Sequence, residues 1–322
     1  MNAEVFAEWF RRQGRQVIRT ESSFWFDQGP RVYQAFPYHW VISPSPQELS
    51  RLLLRNWIVG IRYSTPLTAP EGSISYHCVC QRDKFDLIDL PRRARGAVRK
   101  GLRNLEVRPI SFDCLADEGW KLRVDTMKRQ GRPHDERQAW WRRLCLAASD
   151  LPGFEAWGAI CRGKLAAVLL AVTCDDCYTL LYQQSATEFL SSGANNALAY
   201  VVTHEALQRP GISQVFYGLE GLNASDDVDT FKLRMGYVAT PLRQRVVFHP
   251  ALSPLFNRYT YRLIILLARR HPGRATFSKI EGMLRFYHNG KRPLDQQPHP
   301  PALTTGGNAP GISSVQAGEE ED

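Results

Sequence analysis

The chain lacks any apolar run long enough to cross a membrane. A transmembrane helix needs about 18 or more consecutive apolar residues, and a run such as residues 263–268 is far shorter. The first ten residues carry Glu4 and Glu8 and contain no apolar segment typical of a signal peptide. We therefore expect a cytoplasmic protein without a transmembrane segment.

The chain also lacks a complete set of cysteines and histidines with the spacing of a zinc site. The seven cysteines are odd in number and lie in apolar, strand-like segments, which is typical of reduced core thiols. Cys174 and Cys177 could begin a zinc ribbon, but Cys78 and Cys80 are too close together to complete one, and no matching pair of histidines follows. We expect no metal. No cysteine or serine has a setting typical of an activated nucleophile, which disfavours a covalent enzyme intermediate.

Lysine is scarce and arginine abundant, and the net charge of +9 favours a phosphate-bearing partner. A predicted helix that begins after Pro91 concentrates this charge. Its six cations are Arg92, Arg93, Arg95, Arg99, Lys100 and Arg103. We interpret Arg95 and Arg99 as part of a landing site for a phosphate-rich substrate such as coenzyme A, a tRNA acceptor end or a lipid pyrophosphate. A solvated basic face is an equally good interpretation.

A length of 322 residues predicts one large domain or two fused domains. Residues 1–85 alternate between helix-like and strand-like segments. Residues 255–270 form a predicted helix whose apolar run is bracketed by Arg262, Arg269 and Arg270, so peripheral membrane contact stays open, although packing against the rest of the protein is the simpler interpretation. Proline, glycine, glutamine and serine dominate from residue 289 onward, which predicts a disordered tail over 289–322.

The segment from residue 154 to 250 shows an informative order of elements. Beta-branched and apolar runs bounded by Gly, Asp and Asn predict strands at 154–161, 165–174, 177–185 and 212–219. A loop rich in Ser, Gly and Asn opens a predicted helix that ends near residue 208. A short helix is predicted from Asp226 to Met235, and one or two closing strands follow.

This order resembles the C-terminal half of the GNAT acyltransferase superfamily. The Phe231-Lys232 pair, with Gly236 four residues after the lysine, is similar to the Fem-type branch, which contains peptidoglycan-bridge aminoacyl transferases. The basic helix after Pro91 is similar to the one that introduces the catalytic lobe in that branch. The resemblance covers roughly residues 86–250.

The resemblance implies an α/β fold with a GNAT-like mixed central sheet flanked by helices, in two tandem GNAT-like lobes. We expect a degenerate α/β lobe over residues 1–85 and a catalytic lobe over residues 86–250. A helical extension over 251–288 and the tail complete the expected organisation.

Lys232 is the sharpest catalytic candidate. It occupies the position i+4 of an apolar stripe in which Val228, Phe231 and Met235 are i, i+3 and i+7. A lysine is rarely buried without a partner. The resemblance implies that a tyrosine often stands at this place as the acid for the leaving group, and a cation there could neutralise charge that develops in the reaction. The alternative is a lysine that extends along the helix edge into water.

The candidate donor site is the loop rich in Ser, Gly and Asn that opens the predicted helix ending near residue 208. Small residues and backbone N–H groups at a helix start favour phosphate. Its residues are Ser191, Ser192, Gly193, Ala194, Asn195 and Asn196. Leu190 stands where the superfamily signature has Gln or Arg, which places coenzyme A in doubt, and a plain helix cap explains the loop equally well.

Four further residues are candidates for the acceptor side. Glu205 lies on the apolar stripe made by Leu198, Val201 and Val202, so we expect it to be partly buried. Glu220 follows a predicted strand. Each of the two carboxylates could act as a general base toward an amine. Tyr217 and Asn223 could orient the acceptor.

The expected activity is N-acyl transfer from acyl-CoA to an amine acceptor by direct attack, with no tightly bound cofactor. One alternative is a Fem-like aminoacyl transferase that uses aminoacyl-tRNA to modify a cell-wall precursor or a metabolite. A second alternative is a GNAT-fold protein that only binds a ligand.

Overall fold

The computed structural model describes residues 2–81, 85–131, 136–222, 226–271 and 275–304. The described residues form ten α-helices around one sheet. The helices are α1 (Ala3–Arg12), α2 (Pro46–Arg55), α3 (Arg92–Asn104), α4 (Phe112–Arg129), α5 (Gln138–Leu146), α6 (Ala194–Leu207), α7 (Asp226–Arg234), α8 (Arg258–Arg270), α9 (Ala275–Gly290) and α10 (Pro301–Thr304).

Eleven strands form that sheet. They are β1 (Val17–Arg19), β2 (Phe24–Gly29), β3 (Val32–Phe36), β4 (Gly60–Thr65), β5 (Ser73–Cys80), β6 (Glu106–Pro109), β7 (Phe154–Cys161), β8 (Lys164–Cys174), β9 (Cys177–Ser185), β10 (Gln214–Leu219) and β11 (Val238–Phe248). The spatial order is β1-β2-β3-β4-β11-β5-β10-β9-β8-β7-β6. Only β3 with β4 and β9 with β10 pair in parallel, so the sheet is mixed as predicted.

Local signals explain where several helices begin. Ser45 accepts a hydrogen bond from the Glu48 N–H, and Pro46 occupies the first turn of α2. Ser111 caps α4 in the same way by accepting from the Cys114 N–H. Side-chain oxygens at these positions satisfy N–H groups that have no partner inside the helix. Proline is favoured in a first helical turn because its missing N–H is not needed there.

The sheet contains an internal repeat. Three antiparallel strands, a helix and a parallel strand occur once as β1-β2-β3-α2-β4 and again as β7-β8-β9-α6-β10. Each half then sends its next strand across, so that β5 pairs with β10 and β11 pairs with β4. The two crossing strands pair with each other at the centre. The predicted pair of tandem GNAT-like lobes is confirmed, and the lobes are interlocked.

Alternation along the strands directs side chains into separate cores on the two sheet faces. In β8, Leu169 and Ala171 pack with α3 and α6, whereas Val168, Leu170 and Val172 pack with α1, α4 and α5. On the N-terminal half, α2 packs on β3 and β4. Val246 and Phe248 of β11 pack against α9. Helices therefore cover both faces of the sheet. The two lobes meet at its central strands, β4, β11, β5 and β10.

Part of the predicted disordered tail is ordered. Gln297 is buried; its Oε1 accepts from the Ile74 N–H at 2.8 Å and its Nε2 donates to the Gly72 carbonyl at 3.1 Å. These bonds satisfy backbone groups at the start of β5, and α10 packs beside β11 and α7. The expectation of disorder is therefore wrong for residues 289–304, while the remaining tail, residues 305–322, lies outside the described residues.

Among the described residues, no helix combines the length and apolar character needed to pass through a membrane.

Candidate functional site

The strands β9 and β10 pair over a short distance and then part. Residues 214–216 pair with residues 177–179, whereas β9 continues to Ser185 and β10 to Leu219 without pairing to each other. A bulge interrupts the pairing of each strand with its other neighbour. In β9 the bulge lies near Leu181, opposite β8, and in β10 it lies near Tyr217 and Gly218, opposite β5. Bulges redirect side chains and are frequent beside active sites. The opening between the two strands is the candidate active site.

Lys232 of α7 is buried beside this opening, with a relative exposure of 8%. Its ammonium donates to Asp229 Oδ1 at 2.8 Å, and Tyr76 of β5 donates to Asp229 Oδ2 at 2.5 Å. The ammonium lies 5.8 Å from the centroid of the Tyr217 ring. The expectation that a buried lysine would have a partner is met by Asp229. Burial, followed by the hydrogen bond to Asp229, raises the pKa of Tyr76, so Tyr76 remains a neutral donor.

Gly218 lies beside this ammonium. Its φ of +115° is strained for residues with a side chain, and an added Cβ would lie 3.7 Å from Lys232 Nζ. The backbone of β10 therefore passes directly beside the lysine head group. Electrostatic groups fixed in a buried site are worth more than in water, because the surroundings need not reorganise when charge appears.

Glu220 follows β10 at the same end of the opening. Its N–H donates to the Tyr76 carbonyl at 3.1 Å, and Arg62 donates to the Glu220 carbonyl at 2.6 Å. Burial is the main cause that raises the pKa of the Glu220 carboxyl, and the charge of Asp229 adds to it, while Ser75, Arg285 and Arg62 oppose it. One oxygen, Oε2, is buried without a hydrogen-bond partner among the described residues. A carboxylate whose pKa is raised in this way is a better proton acceptor than an ordinary glutamate.

Tyr217 connects the two parted strands. Its hydroxyl donates to Gln183 Oε1 across the opening. Gln183 Nε2 donates in turn to the carbonyl and the side-chain oxygen of Asn195, each at 3.2 Å. The network joins β10 to the start of α6. Tyr217 thus lies between the Lys232 side of the opening and the predicted donor loop.

The predicted loop is ordered as a short 3₁₀ turn, Thr187–Ser192, followed by Gly193 and α6. Gly193 has φ +81°, and a Cβ there would lie 2.4 Å from the Ala97 carbonyl oxygen of α3. Gly101 of α3 approaches from the other side, where a Cβ would lie 2.6 Å from Ala197 Cβ. The glycine allows the close contact with α3, so a side chain at Gly193 should disturb the fold.

The packing against the loop leaves the charged part of α3 in solvent. Ala94, Val98 and Gly101 face the core. The six cations from Arg92 to Arg103 are exposed, apart from half-buried Arg95. Within the described residues, none of them has a carboxylate within 4.0 Å, as other surface arginines such as Arg11 and Arg12 do. A basic surface therefore lies beside the start of α6.

One predicted site residue, Glu205, does not join this arrangement. Glu205 is exposed on α6, so its expected burial is wrong; the buried face of the helix is formed by residues such as Leu198 and Val202, and Glu205 projects away from it. Asn223 lies outside the described residues. Ser191 is exposed and Ser192 half-buried. Asn196 donates to Met235 Sδ at 3.2 Å, which ties the start of α6 to the end of α7.

Three residues of the opening were missed in the sequence. Asp229 accepts from the ammonium of Lys232, Tyr76 donates to Asp229, and Gln183 accepts from Tyr217. Asp229 lies three residues before Lys232, a spacing that places both on one helix face, and this was the available signal. Nothing near Tyr76 or Gln183 in the sequence indicates a shared site.

The cysteines are free thiols, six of them buried. Burial raises the pKa of Cys78, Cys174 and Cys177 to about 12 in each case. Such thiols stay protonated and are poor nucleophiles. Among the described residues, no three His, Cys, Asp or Glu side chains are grouped so that they could hold a metal ion.

Solved structures show where this fold occurs. The structure of FemX is similar over 77% of this chain and 92% of its own, with a TM-score of 0.54 and 11% identity. The C-terminal domain (DUF2156) of a putative lysylphosphatidylglycerol synthetase from Agrobacterium fabrum is similar over 75% of this chain and 87% of its own, with a TM-score of 0.51 and 11% identity. No protein-family model and no curated protein sequence matches the chain.

These likenesses, together with the strand order, define the class of fold. It is the GNAT-like fold in its two-lobed, Fem-type form, as the resemblance implied. At these identities the likeness shows the fold alone, and the activity has to be argued from the site.

Proposed function

We propose that this protein transfers an acyl group from an activated donor to an amine, by direct attack at the opening between β9 and β10. The observation that carries the proposal is the buried Lys232 ammonium, held by Asp229 beside the parted strands. A buried cation is costly unless it has a role or a partner. Here it has one partner and a second, aromatic neighbour in Tyr217.

The proposed reaction needs a base and a site of positive charge. The amine nitrogen attacks the carbonyl carbon of the donor, and a C–N bond forms as the carbonyl oxygen gains negative charge. Glu220 accepts the proton that the amine loses. The bond between the carbonyl carbon and the leaving oxygen or sulfur then breaks. The leaving atom takes a proton from solvent, and Glu220 returns its proton to solvent. Lys232 stabilises the charge on the intermediate or on the leaving atom.

An aminoacyl-tRNA donor is supported by the surface of α3. Its exposed cations lie beside the start of α6. Gln183 of β9 donates to Asn195 there, which connects the start of α6 to the opening between the strands. A polyanion is a suitable partner for such a surface. The fold likeness to FemX and to the putative lysylphosphatidylglycerol synthetase domain supports the same choice. The acceptor is then an amine-bearing small molecule or cell-wall precursor.

Acyl-CoA is the second candidate donor, since α6 begins at the opening with small residues. Its backbone N–H groups and helix dipole favour a pyrophosphate. The contact of Gly193 with α3 weakens this candidate, because Gly193 is explained without a ligand. A donor with a short phosphate group would depend on the start of α6 more than on α3.

Titration of the protein with aminoacyl-tRNA and separately with acetyl-CoA tests the choice of donor. We expect tRNA affinity to fall steeply with salt, because each phosphate contact releases counterions. The variant Arg95→Glu/Arg99→Glu should flatten that dependence. Arg51→Glu/Arg55→Glu is the matched control, because it reverses two arginines at the same spacing on α2.

An unchanged salt slope in the α3 variant would overturn the tRNA donor. Tight binding of acetyl-CoA with no binding of tRNA would establish the second candidate. Binding of either donor without transfer to any amine would mean that the protein only binds a ligand.

A further inference from the structure

The helix α8 packs on one side and leaves the other side in solvent. Tyr261 and Ile264 pack against the core beneath α9, and Tyr261 donates to Glu281 of α9 at 3.2 Å. No residue of α8 is fully buried. The helix is therefore held along one edge, and its outer face is free among the described residues.

The outer face of α8 is apolar at its centre. Tyr259, Leu263 and Leu266 have relative exposures of 73%, 55% and 52%, and Leu255 just before the helix is 60% exposed. The three helical positions are four and three residues apart, so they form one stripe. Single exposed leucines are ordinary, but a contiguous apolar stripe on a soluble surface marks an interaction site.

Positive charge surrounds this stripe. Arg258, Arg262, Arg269 and Arg270 are exposed on the same helix. The sequence contains no Asp or Glu between Asp229 and Glu281. The surface thus lacks acidic groups that could neutralise these arginines from within the segment. Its partner must combine an apolar phase with negative charge.

We propose that α8 docks the protein onto the surface of an anionic lipid bilayer. The stripe would insert among the acyl chains near the head groups, and the arginines would contact lipid phosphates. A second copy of this chain fits less well, because a symmetric contact through α8 would bring two sets of arginines together. The proposal does not depend on the acyl-transfer activity, since docking needs neither donor nor acceptor.

Binding to lipid vesicles tests the proposal. The full-length protein is sedimented with vesicles of phosphatidylcholine and with vesicles of phosphatidylcholine and phosphatidylglycerol in equal parts. We expect binding only to the anionic vesicles, weakened by salt. Leu263→Ser/Leu266→Ser should lower the affinity on the order of tenfold or more, since burial of apolar area drives insertion.

Matched changes on α2 are the controls. Leu54 of α2 is 51% exposed and lies next to Arg51 and Arg55. Leu54→Ser should leave vesicle binding unchanged. Arg258→Gln/Arg262→Gln should weaken it by about tenfold to thirtyfold, whereas Arg51→Gln/Arg55→Gln should have little effect.

Three results would overturn the proposal. The first is the absence of binding to anionic vesicles by the unaltered protein. The second is equal loss of binding in the α8 and α2 variants, which would reduce the effect to overall charge. The third is a dimer in lipid-free solution that Leu263→Ser/Leu266→Ser converts to a monomer, since the stripe would then be an interface between copies.

Discussion

Lys232 is held by Asp229, and Asp229 is held in turn by a residue from a distant part of the chain. Asp229 lies on the same helix, and Tyr76, which holds Asp229, lies on β5. A lysine side chain loses considerable rotational freedom when it is held in this way. Burying this lysine therefore costs more free energy than burying an apolar side chain of the same length. Replacement by such an apolar residue can thus test whether the lysine has a role beyond stability.

Replacement of Lys232 separates a catalytic role from a structural one. If the ammonium stabilises charge that appears only in the transition state, Lys232→Ala should lower kcat and kcat/KM together, on the order of 100-fold, with donor affinity nearly intact. Lys232→Met keeps most of the side-chain volume and should be equally inactive. A Lys232→Met variant with near-normal turnover would show that the lysine is structural.

The stability of the same variant depends on Asp229. Removal of the lysine leaves the charge of Asp229 buried, with the Tyr76 hydroxyl as its remaining hydrogen-bond donor among the described residues. Lys232→Met should therefore melt lower than Lys232→Met/Asp229→Asn, which leaves no charge unpaired. The melting temperatures of the two variants check this interpretation of the site.

Glu220 should set the acidic limb of the pH profile. Burial raises its pKa above the ordinary value of a glutamate, so the base form appears only as pH rises through that raised pKa. The kcat/KM of the protein should increase with pH along this limb, and Glu220→Gln should lose the limb and most of the activity. An unchanged profile in Glu220→Gln would assign the base to another group.

The same shift predicts the sign of a stability change. A carboxyl whose pKa is higher in the folded state favours folding when protonated, and this advantage is lost as pH rises from the unfolded pKa of about 4.3 to the folded value. Glu220→Gln should thus unfold at higher denaturant concentration than the parent protein at neutral pH, with no such gain at pH 3.

The predicted site residues differ in how far the sequence could locate them. Lys232 could be predicted because its place in an apolar stripe is local. Tyr76 could not, since 153 positions separate it from Asp229 and only the sheet brings them together. The predicted burial of Glu205 was wrong because α6 is apolar over much of its circumference. A stripe drawn through Leu198 and Val202 therefore does not determine which neighbouring residue points outward.

At the scale of elements, the contact between α3 and the start of α6 depends on paired glycines. A Cβ on Gly101 would lie 2.6 Å from Ala197 Cβ and 2.7 Å from the Gly193 carbonyl oxygen. Gly101→Ala should therefore destabilise the protein by roughly 1–3 kcal/mol, as overpacked sites do. Denaturant unfolding measures this difference in the free energy of unfolding.

The same helix contains its own control. Gly96 of α3 is exposed, and no heavy atom lies within 4 Å of an added Cβ. Gly96→Ala should stabilise the protein by about 0.5–1 kcal/mol, because glycine is a poor residue inside a helix. Equal effects of the two substitutions would mean that the contact between α3 and α6 is looser than described.

The individual strands and helices could be predicted more readily than the pairing between strands. The strands of the second lobe could be read from apolar runs between turn residues, and β10 and α7 occur within two residues of their predicted bounds. The pairing of β5 with β10 and of β11 with β4 could not be predicted in this way. An apolar run indicates a buried strand, but it does not say which strands lie beside it.

At the scale of the whole molecule, the two lobes are linked by exchanged strands. β11 follows the second lobe in sequence but lies between β4 and β5 of the first. β10 in turn depends on β5 for its antiparallel neighbour. Strands at the edge of a sheet expose unpaired backbone groups, and these exchanges place β4, β11, β5 and β10 at the centre of one sheet.

This linkage predicts that the lobes do not fold separately. A fragment of residues 82–322 keeps β6 to β11 but removes both neighbours of β11 and one neighbour of β10. We expect it to show no cooperative thermal transition and to be digested rapidly by protease, because the exposed centre would lack both hydrogen-bond partners and apolar cover. Addition of the fragment 1–81 should restore a cooperative transition, since it supplies β4 and β5. A sharp melt of the fragment 82–322 alone would contradict this and would show that the second lobe is stable without the exchanged strands.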